Sequence, residues 1–382
     1  MNTLPYPLLK LGIIGGGQLG KMTAQVAKQM GFYVTILDPT PHCPAAQIAD
    51  QHIVGSLYDA DKLAYLVYAS DVTTYEVEHI DATTLERLAS AEHVIHPAPQ
   101  LLAVIQDKLL QKQRLQEHGI PVPKFEAIEQ ITPDTLRQLS LPIVQKARKG
   151  GYDGRGVAIL KTMEDADKIL PVPSMLEELI EFEKEIAVMV ARNSHGEVQC
   201  YPVVDMFFDD RTNICDIVAA PADLPKNIAE EAQRIAIHTV EALEGVGVFG
   251  IEMFLTKDNQ ILVNEIAPRP HNSGHYTIEA CVTSQFEQQI RAICGLPLGS
   301  STLLTPAVMM NLLGEANHDG APVIEGLEEV LSIPGLSFHL YGKLETKPFR
   351  KMGHVTIVAD SVADAMKHLE TVRHKLKIRT EI

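Results

Sequence analysis

An α/β unit built on a doubly wound parallel sheet, followed by an α+β region that ends in short strands, is the fold this sequence predicts. Three observations carry that expectation. Strand-like and helix-like segments alternate through roughly the first hundred residues, the pattern of a parallel sheet. Further along, strand–turn–strand patterns take over, and the last eighty or so residues are short strands punctuated by glycine and proline. At 382 residues the chain also exceeds the size at which one core divides, so two or three domains are expected.

Taken in order, "LKLGIIG" reads as the first strand, Gln18 to Met30 as an amphipathic helix and "YVTILD" as the second strand. A helix from Asp61 to Tyr68, a strand "DVTTYE", a helix from Ala82 to Ser90 and a strand "HVIHP" complete the unit. "DKLLQKQRLQEHG" is helical and is ended by Gly119 and "IPVP". Next come a strand "PIVQKA", the loop "RKGGYDGRG" and a strand-like stretch from Met175 to Ala191 with a charged interruption. Ala229 to Leu243 is a helix, Val246 to Ile266 a strand–turn–strand, Tyr276 to Cys294 a helix, and Ser361 to Arg373 the last helix.

The net charge of −16 disfavours a general nucleic-acid surface, so an anionic ligand needs a local basic pocket. The longest uncharged stretch, Ala292 to Gly314, contains Pro297, Pro306 and three glycines, which makes it loop plus strand and not a membrane span. No basic segment precedes the first apolar run, which argues against a cleaved signal. The cysteines are five, scattered and never spaced C-x-x-C, as expected of free thiols in a reducing cytoplasm.

Four stretches carry chemistry. Gly15, Gly17 and Gly20 spell G-x-G-x-x-G after a strand, with Asp38 ending the next strand, close to a dinucleotide fingerprint. In "KGGYDGRG", four glycines in eight residues free backbone N–H groups to face an anion, with Lys146, Arg148, Lys149 and Arg155 nearby. A solvated hairpin would show the same composition. In "FGIEMFLTKDNQILVNEIAPRPHNSGH", pairing Leu255 with Leu262 sets Glu252 opposite Glu265 and turns Phe249, Ile251, Met253, Leu262 and Ile266 to the core. Two adjacent carboxylates suit Mg²⁺, whereas a register shifted by one would part them. Asn264 stands beside them, and Arg269, His271 and Asn272 follow in an irregular loop. Finally, Lys343, Lys347, Arg350 and Lys351 form a second basic cluster, suited to a phosphate dianion or to a solvated loop face.

Read together, "GIIGGGQLGKM", "TYEVE", "KGGYDGRG", "VNEIAPRPHNSGH" and "RKMGH" resemble, in this order and over nearly the whole chain, the N5-carboxyaminoimidazole ribonucleotide synthetases, ATP-grasp ligases of purine biosynthesis. The resemblance implies a Rossmann-like pre-ATP-grasp domain at 1–105, a lid at 106–178, an ATP-grasp core at 179–300 and a small C-terminal β-rich domain at 301–382. It implies carboxylation of 5-aminoimidazole ribonucleotide (AIR) with ATP, bicarbonate and Mg²⁺ (or Mn²⁺), through carboxyphosphate, by a cytoplasmic homodimer with no nucleic-acid or membrane partner.

By the same resemblance, ATP would meet Lys108, Lys146, the loop Gly151, Tyr152, Asp153, Gly154, Arg155 and Gly156, the segment Glu177, Glu178, Leu179 and Ile180, and Glu185, Asn264 and Glu265. Glu252 and Glu265 would hold the metal. AIR and bicarbonate would meet Gln18, Leu19, Glu76, Tyr152, Asp153, Arg155, Arg269, His271, Lys343, Arg350 and Lys351, with Arg155, Arg269, His271 and Lys351 catalytic. The glycine loop would then point its N–H groups at the AIR nucleotide. Three departures stand out: His79 where asparagine is common, Val157 where glutamine is frequent, and Phe208 where many members have histidine. A formate-dependent glycinamide ribonucleotide transformylase of the same layout and an NAD(P)-dependent oxidoreductase are the competing readings, with a non-catalytic nucleotide-binding regulator as a third.

Overall fold

A computed structural model of the chain describes residues 8–89, 93–151, 156–209 and 214–381. The N-terminal unit is a parallel sheet in the order Gln51–Val54, Phe32–Asp38, Leu8–Ile14, Val72–Tyr75. The helix Gln18–Gln29 turns off the first strand at the glycine loop, and Ala60–Tyr68 starts at Asp59, whose carboxylate accepts from the Asp61 and Lys62 N–H groups. "HVIHP" contributes only a single bridge, Ile95 to Thr73, while the edge strand Gln51–Val54 was not anticipated. An edge strand of four residues carries too short an alternation to stand out.

A lid sheet of antiparallel strands follows, in the order Phe125–Ile128, Ser174–Glu178, Ile143–Ala147, Val157–Leu160. The central sheet runs Ile261–Ala267, Gly247–Thr256, Phe182–Arg192, Val204–Asp209, Ile214–Ala220, Ala307–Leu313, Lys351–Val358, Leu336–Leu340. Residues after 300 therefore extend the same sheet. Its middle is buried on both faces, and the strand Phe182–Arg192 shows how. Ile186, Val188 and Val190 face the helix Lys226–Ala242, whereas the smaller Ala187 and Ala191, with Met189, leave room for Tyr276 and Ala280 on the other side.

The helix expected from Tyr276 to Cys294 is two, Thr277–Ala280 and Gln285–Ile293. Cys281 leaves the helix to pair with Leu303, and the Ser284 hydroxyl starts the second helix by accepting from the Glu287 N–H. Among the described residues no helix is long and apolar enough to cross a membrane, and the cysteines are free.

Candidate active site

The hairpin that carries the paired carboxylates does bring Glu252 opposite Glu265, but by a different route from the one the sequence predicts. Leu255 pairs with Ile261 and Phe254 with Leu262, so the expected Leu255–Leu262 pair does not form. A β-bulge between Glu252 and Met253 on one side and Val263 to Glu265 on the other inserts Asn264 and restores the Glu–Glu opposition. Beyond the bulge the faces swap. Ile261, Val263 and Ile266 enter the core and Leu262 is only half-buried. A bulge re-aims side chains, and this one lets Asn264 and Glu265 both reach lysines of the cleft.

Between the lid sheet and the central sheet lies a cavity of about 890 Å³. Its wall brings together Lys108, Lys146, Gly151, Glu177 to Ile180, Glu185, Glu252, Asn264, Glu265, Arg269, His271 and Lys351 from the sequence-derived set. Gln18, Leu19, Glu76, Gly156, Lys343 and Arg350 are described but lie outside that wall. Tyr152, Asp153, Gly154 and Arg155 lie outside the described residues. The three departures, His79, Val157 and Phe208, all border the cavity.

Charge organises one side of it. Asp107 begins the helix Lys108–Glu117, accepting from the Leu109 N–H at 3.1 Å, and is gripped by the Arg148 guanidinium at 2.7 Å. Arg148 therefore ties the loop to the helix while also bordering the cavity. Lys108 Nζ sits 2.5 Å from Glu265 Oε1. Lys146 Nζ lies 2.5 Å from Glu177 Oε2 and donates to Asn264 Oδ1 at 2.9 Å. Glu177, expected along the adenine, is buried between two ammonium groups, Lys146 and Lys112, the latter 3.0 Å away. Glu178 turns aside to accept from the Lys124 N–H at 2.9 Å.

Burial, then Glu265 and Glu185, push the Glu252 carboxyl up to about 8. Burial alone would raise Glu265 too, but Lys108 outweighs it and holds that carboxyl down at about 2. Such a pair favours a cation between its oxygens. Among the described residues no three His, Cys, Asp or Glu side chains cluster closely enough to cage a metal alone. Two carboxylates and an amide oxygen fit Mg²⁺, which completes its shell with phosphate and water. Glu185, raised by burial to about 7 and lowered only in part by Lys146, lines the same wall.

The opposite side is apolar. Phe182 and Phe254 stack at 4.9 Å between ring centroids, and Val144, Ile159, Leu179, Ile180 and Phe208 extend that surface. A flat aromatic base fits such a slot. Neither phenylalanine was singled out from sequence, because aromatic residues in strands are usually core.

At the far end, Arg269 Nε is 2.8 Å from Glu78 Oε1, which fixes its guanidinium at the cavity wall. His271 Nδ1 pairs with Ser273 Oγ at 2.9 Å and its Nε2 stands 3.4 Å from Glu252 Oε1. Asn272 and Asn311 exchange amide hydrogen bonds of 2.9 and 2.6 Å, anchoring this loop to the strand Ala307–Leu313. Glu78 and Asn311 are remote in sequence from their partners, so no local pattern could reveal them. Lys343 Nζ donates to the Lys351 carbonyl at 2.6 Å, and Arg350 to the Glu345 carbonyl at 2.7 Å.

The N-terminal glycine loop is tied to acidic side chains of its own domain. The Gly20 N–H donates to Glu76 Oε2 at 2.5 Å and the Gly17 N–H to Glu76 Oε1, while the Gly16 N–H donates to Asp38 Oδ2 at 2.8 Å. These three donors are satisfied by the protein's own carboxylates. The loop must be glycine because a Cβ on Gly20 would fall 2.7 Å from the Gly15 carbonyl oxygen.

With this geometry in view, the relatives agree. Residues 8–106 match the ribonucleotide synthetase pre-ATP-grasp domain, 113–286 the ATP-grasp domain and 307–368 the phosphoribosylaminoimidazole carboxylase C-terminal domain. The N5-carboxyaminoimidazole ribonucleotide synthase of Synechococcus elongatus is 42% identical over 94% of this chain and 91% of its own length. The crystal structure of the synthetase from Thermotoga maritima, 54% identical, superposes with a TM-score of 0.92 over 98% of this chain and 100% of that one. That of the Aspergillus clavatus synthase in complex with ADP and 5-aminoimidazole ribonucleotide, 36% identical, gives 0.88 over 97% and 99%. The chain spans 66 and 67% of the length of the phosphoribosylaminoimidazole carboxylases of Vigna aconitifolia and Saccharomyces cerevisiae. The chain belongs to the N5-carboxyaminoimidazole ribonucleotide synthase family of ATP-grasp ligases.

Proposed function

We propose that this chain carboxylates the exocyclic amine of AIR, consuming ATP and bicarbonate and releasing ADP and phosphate. The observation that carries this is the juxtaposition of Glu252 and Glu265 with Lys108 and Lys146 across one cleft from the Phe182–Phe254 stack. The aromatic stack takes the adenine, Glu185 the ribose hydroxyls, and the two lysines the terminal phosphates. Mg²⁺ held by Glu252 and Glu265, with Asn264 alongside, would supply charge neutralisation at the triphosphate; Mn²⁺ has the same ligand preference.

Bicarbonate oxygen attacks the γ-phosphorus, ADP leaves, and carboxyphosphate forms. Loss of phosphate from it gives CO₂, which the AIR amine captures with release of one proton. Arg269 and His271 would bind bicarbonate or carboxyphosphate, a reading supported by His271 lying beside Glu252 and by Glu78 holding Arg269 in orientation at the same cavity wall. Lys351 borders the same cavity and would take the AIR 5′-phosphate together with Arg350, its neighbour in sequence, and Lys343, which donates to the Lys351 carbonyl. Gln18, Leu19 and Glu76 would border AIR from the glycine-loop side. The Gly151 to Gly156 loop would close over the phosphates and exclude water, with Tyr152, Asp153 and Arg155 near the imidazole or bicarbonate.

The division at 1–105, 106–178, 179–300 and 301–382, a homodimer and a cytoplasmic location belong to the same reading. ADP release is expected only when ATP, AIR and bicarbonate are all present. Full activity with formate in place of bicarbonate would move the chain to the transformylase reading, and no ATP cleavage with every substrate present would make it a regulator.

A further inference from the structure

Lys112 is not exposed to the cavity and no role in the reaction falls to it so far, yet it is an ammonium in the protein interior. It lies one helical turn beyond Lys108, so both side chains leave the helix Lys108–Glu117 on one face. Only 1% of the residue is exposed. Its Nζ donates to the Val263 carbonyl at 2.8 Å and stands 3.0 Å from Glu177 Oε1. Val263 is the residue before Asn264 and Glu265, at the bulge that aims those two side chains into the cleft. The other oxygen of Glu177 lies 2.5 Å from Lys146, which in turn donates to Asn264 at 2.9 Å.

These contacts close a ring: helix Lys108–Glu117, strand Ile261–Ala267, and the lid strands Ile143–Ala147 and Ser174–Glu178. An apolar side chain of similar length would fill the same space, and buried ion pairs rarely stabilise more than well-packed apolar replacements. What an apolar side chain lacks is the ability to fix the Val263 carbonyl and the Glu177 carboxylate together. Burial drives the Lys112 ammonium down to about 8 against the pull of Glu177, the mark of a charge held in place at a cost.

We propose that Lys112 is a positioning residue for phosphoryl transfer: it locks the Asn264 bulge that aims Glu265, and through Glu177 it sets Lys146 over the same phosphates. This rests on the cleft being the ATP site. Lys112→Met should lower kcat for AIR- and bicarbonate-dependent ADP release about thirtyfold and raise the Mg²⁺ concentration for half-maximal rate about tenfold. KM for AIR should stay within about twofold, since that site takes no contact from the ring.

Direct Mg·ADP titration by calorimetry should show affinity about tenfold weaker in the variant. It keeps the two readings apart: a wild-type chain that binds Mg·ADP but never carboxylates AIR defeats the proposed function and leaves the Lys112 test intact. If Lys112→Met does not fold, Lys112→Met/Glu177→Gln removes the stranded carboxylate and is compared instead. A folded variant with wild-type kcat, Mg²⁺ dependence and Mg·ADP affinity overturns the assignment, and so does a lowered melting temperature with those three unchanged.

Discussion

Two glycine-rich turns of this molecule read alike in sequence, yet glycine answers a different constraint at Gly17 than at Gly150. At Gly15 to Gly20 the glycines make room: a Cβ on Gly17 would come within 2.8 Å of the Glu76 carboxylate, and the Gly16, Gly17 and Gly20 N–H groups already donate to Asp38 and Glu76. At the lid turn, a Cβ on Gly150 would meet nothing within 4 Å; its φ of +79° demands glycine by conformation alone, beside the cavity. Glycine spacing reports that the backbone bends sharply. Whether an anion binds depends on which donors the protein has already satisfied.

The same contrast runs through the whole site. On the cavity side, Lys108 pairs with Glu265 and Glu252 faces His271 along the wall, and an incoming phosphate or cation can exchange with those partners. On the glycine-loop side the acids accept from the loop's own N–H groups, and behind the Asn272 loop the buried histidines pack on one another, with Tyr341 meeting His354. Substitutions on the open side should therefore read out in turnover, and those on the closed side in stability.

The largest effect is expected at Glu265. Glu265→Gln removes half of the carboxylate pair and should lower turnover by about a hundredfold or more at saturating Mg²⁺. Because the Lys108–Glu265 contact is half-exposed on the carboxylate side, its loss should change unfolding free energy by about 1 kcal/mol or less. Unchanged turnover would remove the metal pair from the site; a large stability loss would make Glu265 part of the closed region.

The closed region is tested by acid. His275 and His354 are fully buried, 4.7 Å apart between ring centroids, and Tyr341 pairs with His354 Nδ1 at 3.0 Å. His339 stacks on His354 at 4.4 Å and meets Glu279, while His271, Lys351 and Arg269 bear on His275 through space. Burial holds both imidazoles well below the usual 6.5, with neighbouring positive charge adding to it at His275. A base whose folded pKa is depressed binds fewer protons folded than unfolded, so stability is intact above 6.5 and declines as pH falls below it. For two such groups the limiting slope is about 2.7 kcal/mol per pH unit. Glu252 and Glu185, raised to about 8 and about 7, contribute the opposite sign over the same window, so the histidines are read by difference. In urea unfolding, His354→Gln should shift the pH dependence of stability between pH 6.5 and 5.5 by about 1.4 kcal/mol per pH unit relative to wild type, toward less loss in acid. A pH dependence unchanged by His354→Gln would show that the cluster charges freely.

How much was legible follows the same line. Strands and helices of the first unit stand in the sequence because apolar period and capping residues are local, as at Asp59 for Ala60–Tyr68. The opposition of Glu252 and Glu265 was readable, but not its mechanism, since a bulge at Asn264 is set by packing of Val263 and Ile266 on the central core. Glu78 holding Arg269 and Asn311 holding Asn272 join segments 191 and 39 residues apart, and nothing local announces them. Lys112 is half legible: a second lysine one turn from Lys108 on one helix face is a pattern, but the interior is an expensive place for an ammonium, so the pattern reads as solvated surface.

The smallest effect separates the two glycine turns most directly. Asp38 accepts from the Gly16 and Thr40 N–H groups, at 2.8 Å each, one on either carboxylate oxygen. An amide offers one acceptor oxygen where the carboxylate offered two, so Asp38→Asn leaves one of these donors to find water and weakens the other bond. The loss should be about 1 kcal/mol of stability. If the loop is closed by its own acids, kcat and KM for ATP stay at wild-type values and NADH fluorescence titration shows no binding to either protein. A dinucleotide site would respond differently, since an acid in that position would hold ribose hydroxyls. NADH binding to the wild type that Asp38→Asn abolishes, with little change in the urea midpoint, would reopen the loop as a ligand site and erase the distinction between the two turns.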